Sequence, residues 1–168
     1  MLAVVLVEDC SGKQLSGKKM RFTREPIAFN ENDLEGTIQP HDDALVVTTI
    51  INGFIVKKVM VDQRSGVNAM YLDLFKGLRL KDEDLFKYDM PLVGLMARWL
   101  FPKGKISLPV NMEGNKVVVT FIVVALFSPY TAILGRPWIY VMGAVSSTLH
   151  MKVMFHTEQD IAVVRGSQ

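Results

Sequence analysis

The stretch that most constrains the fold is 44–66, where two runs rich in Val, Ile and Thr, 44–51 and 54–61, flank Asn52-Gly53. Asn and Gly both tolerate the positive φ of a type I′ turn, so the segment reads as a tight β-hairpin. Its second strand runs straight into Asp62 and a polar turn, Gln63-Arg64-Ser65-Gly66. An acid at the end of a buried strand is costly to desolvate, which makes Asp62 the first candidate for chemistry. The plain structural alternative is that Asp62 starts a turn as the chain leaves the sheet for water.

The rest of the chain alternates similar signals. Residues 1–35 lack sustained periodicity, contain Ser11-Gly12, Ser16-Gly17 and Pro26, and read as a flexible lead-in, with the folded domain spanning 36–168. After the polar turn, 69–75 carries Tyr71, Leu72, Leu74 and Phe75 with Gly77 beyond, which reads as a short helix stopped by glycine. Lys81 to Asp89 is a charge-rich turn or second short helix. A second hairpin is expected from 105–110 and 116–124 around Glu113-Gly114-Asn115. Pro137 fits the first turn of a helix reaching about Met142, and 149–155 and 161–164 read as closing strands. Hairpin, glycine-containing loop and short helix thus recur twice, around Asp62 and around Gly135.

Composition narrows the class. With 168 residues, 49% hydrophobic and 21% charged, the chain can bury a single core without disulfides. The one cysteine, Cys10, cannot form an internal bridge, which points to a reducing compartment. Met1 to Val7 is apolar but has no basic flank and runs into Glu8-Asp9, unlike a signal peptide. The longest apolar stretch, 117–127 with Thr120 inside it, is shorter than the roughly 18–20 residues that cross a bilayer. The expectation is a soluble, cytoplasmic protein with no membrane partner. A net charge of +2, and basic residues at 18–24 followed at once by Glu25, Glu31, Asp33 and Glu35, argue against a nucleic-acid partner. His41, His150 and His156 have no metal-ligand spacing with Cys10 or one another, and there is no phosphate-binding glycine loop. Neither a metal nor a cofactor is expected.

Val59-Met60-Val61-Asp62-Gln63-Arg64-Ser65-Gly66 and Ala132-Ile133-Leu134-Gly135-Arg136-Pro137-Trp138 together resemble the retropepsin-like aspartic proteases. The likeness is to the protease region of plant gypsy-type LTR retrotransposon polyproteins. Pro40 to Val47, Tyr88 to Gly94, Pro102 to Pro109 and Gly143 to His150 are similar to further phrases of that group, in the same order, over roughly 29–168. The resemblance implies an all-β, retropepsin-like acid protease fold: a closed barrel-like domain with two short helices, one lobe per chain. It implies an aspartic endopeptidase in which two copies of Asp62, one from each chain of a homodimer, share a proton and cleave an extended polypeptide. Strands near 149–155 would serve the dimer interface. Ile133, Leu134 and Gly135 would form the turn packed behind the acid loop, and 92–104 the flap, with Gly94, Leu95, Met96 and Ala97 at its tip.

The chain departs from that pattern at Arg64, where the group has glycine. A long cation in each copy crowds the approach of two loops and favours ionised carboxylates, whereas catalysis needs one protonated. Val67-Asn68 replaces the usual Ala-Asp, Met96-Ala97 replaces Asp-Gly in the flap, and Gln63 replaces a hydroxyl residue. Two readings remain: a polyprotein-cleaving endopeptidase impaired by Arg64, or a catalytically inactive module that dimerises or holds a peptide by strand addition.

Overall fold

The computed structural model describes residues 24–93 and 99–168. Strands β1 (Val46–Ile51) and β2 (Phe54–Val61) form the expected hairpin, with Asn52 and Gly53 at φ 50° and 82°, the type I′ signature. The β1–β2 register slips between Val47 and Thr49, and Lys58 opposite the slip has φ 59°. This bulge adds twist where the sheet must curve to close.

Beyond the acid loop, β3 (Asn68–Tyr71) leads into α1 (Leu72–Gly77). The helix expected over 69–75 therefore starts later. Ala69 and Met70 are claimed by a strand, because β3 pairs in parallel with β7 (Asn115–Val124) and antiparallel with β8 (Ala132–Leu134). A 3-10 turn at Asp82–Asp84 occupies the charge-rich stretch. Two short strands, β4 (Leu92–Val93) and β5 (Trp99–Leu100), pair antiparallel as the arms of a hairpin. Residues 94–97, expected at its tip, lie outside the described residues.

Strand β6 (Gly104–Met112) forms the second long hairpin with β7, turning at Glu113 and Gly114 with φ 48° and 83°. The order β1-β2-β8-β3-β7-β6 closes into a barrel. Burial alternates along β6, so Ile106, Leu108 and Val110 enter the core while Lys105 and Ser107 face water. Helix α2 (Arg136–Met142) plugs the barrel with Trp138 and Met142, starts with Pro in its first turn and ends at Gly143 with φ 58°.

A second sheet has the order β11-β10-β9, from β9 (Val145–Ser147), β10 (Lys152–His156) and β11 (Ile161–Arg165). The closing strand begins at Lys152 rather than Leu149, since residues 148–151 turn, with Met151 at φ 50°. Of the segment read as a lead-in, 1–35, residues 1–23 lie outside the described residues. Its last part forms a 3-10 turn at Glu31–Leu34, where Asn30 and Asp33 cap each other. Asp33 Oδ1 reaches Lys152 Nζ at 3.2 Å, and Phe29 stacks on His150 at 4.9 Å between ring centroids. Lys152 is almost wholly buried, so this ion pair neutralises a desolvated cation. No helix among the described residues is long and apolar enough to cross a membrane.

Candidate active site

Asp62 is the first residue after β2, and its position is set from behind. Strand β8 runs parallel to β2 with Val61 level with Leu134, and the Asp62 N–H donates to the Leu134 carbonyl at 3.0 Å. The chain then turns at once, with the Ser65 N–H donating to the Asp62 carbonyl at 3.2 Å. The side chain makes an Asx turn, Oδ1 accepting the Arg64 N–H at 2.8 Å. Oδ2 accepts no hydrogen bond among the described residues. The carboxylate is half-buried at the barrel surface, with one oxygen committed to the loop and the other available to an incoming group.

Gly135 explains how the loop and strand β8 come so close. A Cβ at this position would lie 2.3 Å from the Val67 carbonyl oxygen and 2.7 Å from that of Ser65. Its own N–H donates to Asn68 Oδ1 at 2.9 Å, and the next N–H, of Arg136, donates to the Ser65 carbonyl at 2.9 Å. Ile133, Leu134 and Gly135 thus lie directly against the acid loop, and glycine is required there by space rather than by φ.

The other loop residues have separate jobs. Ser65 Oγ donates to the Val67 carbonyl at 2.6 Å, so this hydroxyl shapes the turn. Gln63 Nε2 lies 2.7 Å from both the carbonyl and the hydroxyl of Ser146 in β9, which ties the acid loop to the second sheet of the same chain. Arg64 is exposed and does not have positive φ, so within a single chain the loop accommodates a side chain there without left-handed strain. Gly66 faces the Arg136 guanidinium, which lies 3.2 Å from where a Cβ would stand.

Sequence reasoning treated Asn68 only as a lost acid. Its side chain is buried and engaged at both ends, accepting from Gly135 and donating through Nδ2 to the Thr120 carbonyl at 3.2 Å. A carboxamide supplies both the acceptor and the donor that this position needs. The signal was an uncompensated polar residue in the apolar run Val67-Asn68-Ala69-Met70. Arg136 was likewise read only as part of a motif. No group of three or more His, Cys, Asp or Glu is placed to hold a metal among the described residues.

No family model and no curated protein matches the sequence. Solved structures do match. The retroviral protease-like domain of Ddi1 from Leishmania major superposes with a TM-score of 0.59 at 19% identity, covering 76% of this chain and 97% of that one. The EIAV protease, in complex with the inhibitor HBY-793, gives 0.52 at 15% identity, over 63% of this chain and 94% of that one. The chain has the retropepsin-like, all-β acid-protease fold.

Proposed function

We propose that this chain is an aspartic endopeptidase of retroelement origin, derived from the polyprotein of a plant gypsy-type LTR retrotransposon and attenuated by Arg64. The observation that carries the reading is the half-exposed Asp62 carboxylate, on a tight turn at a strand end and braced from behind by Gly135. One such loop per chain requires a second copy to complete the site. In a homodimer the two Asp62 side chains would share a proton. The ionised one would draw a proton from water as it attacks a peptide carbonyl, and the protonated one would donate to the carbonyl oxygen. The β4–β5 hairpin would close over an extended polypeptide and exclude solvent.

Arg64 acts against this chemistry. Two copies of its long side chain would crowd the dyad and hold the two acid loops apart. A second reading, a non-catalytic peptide-binding or dimerisation module, is favoured by the Gln63 carboxamide, which is spent on Ser146 of its own chain. The experiment is cleavage of a broad peptide library across a dilution series, with sedimentation run in parallel. The proposal expects weak pepstatin-sensitive cleavage, absent in Asp62→Asn, whose specific activity falls as dimer dissociates. Specific activity that holds where only monomer sediments would refute the shared dyad. No cleavage at any concentration would favour the second reading.

A further inference from the structure

Strands β10 and β11 place two cations directly opposite each other. Lys152 pairs with Arg165 in the antiparallel ladder, so both side chains leave the same face of the second sheet. Like charges in that relation destabilise a sheet unless opposite charge offsets them. Asp33 offsets only one of the two. Its Oδ1 accepts from Lys152 Nζ at 3.2 Å, and its Oδ2 is already taken by the Asn30 N–H at 2.9 Å. The Arg165 guanidinium reaches the Glu35 backbone carbonyl at 3.5 Å and forms no ion pair among the described residues.

The Lys152 side chain is only 6% exposed. An ammonium has three N–H donors, and among the described residues only Asp33 accepts from this one. Buried donors left over in this way call for a further acceptor. Lys152 and Arg165 line a cavity of about 80 Å³, closed by His150 and, from the segment before β1, by Glu35, Gly36 and Thr37. At about 30 Å³ per water, that is room for two or three waters or one small ion. Lys and Arg can only donate, so the ligand that matches them is an anion whose oxygens only accept.

We infer that this cavity is a binding site for a small oxyanion of phosphate size, separate from the acid loop. The anion bridges Lys152 and Arg165, removes their repulsion and holds residues 35–37 against the sheet. On its other side Lys152 pairs with Ser147, whose neighbour Ser146 accepts from Gln63, so the site adjoins the strand that steadies the acid loop. The inference does not require that the chain cleave peptides.

The test is titration of the full-length chain with sodium phosphate at constant pH and ionic strength, sodium chloride making up the difference. Binding is read from the amide resonances of Gly36, Thr37 and Gly166 and from Tm. The inference expects saturable shifts at these amides and a Tm that rises as phosphate exceeds its dissociation constant. Arg165 is exposed, so Arg165→Gln should fold, and it should weaken phosphate binding by about tenfold or more. Lys116→Gln, which removes an exposed cation outside the cavity, should bind phosphate as the unmodified chain does. Shifts that do not saturate, or equal affinity in Arg165→Gln, overturn the inference. Equal losses in Lys116→Gln and Arg165→Gln also overturn it, because net charge alone would then attract the anion.

Discussion

Replacing Gly135 with alanine should unseat the acid loop. The new methyl would stand 2.3 Å from the Val67 carbonyl oxygen, where ordinary contact begins near 3.4 Å, so backbone must move by 1.1 Å (3.4 − 2.3). Neither side can yield easily: Gly135 is held by Asn68, Ser65 by the Arg136 N–H, and Asp62 by Leu134. Overpacking of this kind costs about 1–3 kcal/mol, and losing two of these hydrogen bonds adds about 1 kcal/mol each, for a total of about 3–5 kcal/mol. For a chain of this length that lowers Tm by about 6–20 °C. The assay is urea and thermal unfolding, with Gly77→Ala as control. No atom lies within 4 Å of a Cβ at Gly77, the last residue of α1, so that change should be neutral or slightly stabilising. A Gly135→Ala protein within about 0.5 kcal/mol of the unmodified chain would refute the close approach that orients Asp62.

Two further outcomes follow from buried polar contacts. Asn68→Ala leaves the Gly135 N–H buried without an acceptor and should cost about 2–4 kcal/mol in urea unfolding, and Asn68→Asp should not rescue it, because a buried carboxylate keeps that acceptor but loses the donor to the Thr120 carbonyl. Asp33 is held below the usual carboxylate range chiefly by the Asn30 backbone N–H, with the Lys152 ammonium and His150 helping and desolvation opposing. Its contribution to stability is therefore complete above the unfolded-state value near about 3.9 and is lost as pH falls below it. The urea midpoint should drop between pH 6 and pH 3 by more in the unmodified chain than in Asp33→Asn. Equal drops would remove Asp33 from the account.

What the sequence revealed and what it hid separate by range. The turns at Asn52-Gly53 and Glu113-Gly114 were readable because a local positive φ needs particular residues, and α2 because Pro and Gly bracket it. Ala69-Met70-Tyr71 was misread as helix because a short apolar run has no decisive period. Its strand state comes from partners around residues 121–124 and 132–133. The candidate site divides the same way. Asp62 stands out locally as an acid at a strand end. The contacts that position it join residues 67 and 83 apart, Asn68 with Gly135 and Gln63 with Ser146, and no local pattern announces them. The pair of Asp33 and Lys152 spans 119 positions and was invisible for the same reason.

The central claim is that Asp62 is a catalytic acid held back by its neighbour two residues on. Cleavage of one peptide library by the unmodified chain, Arg64→Gly and Arg64→Gly/Asp62→Asn, at a concentration where the protein is dimeric, tests it most directly. The account predicts weak cleavage by the first and a rise of about tenfold or more in the second, the factor that 1.4 kcal/mol of transition-state stabilisation supplies. It predicts no cleavage by the third. Strong cleavage by the unmodified chain, or activity that survives the loss of Asp62, would contradict it.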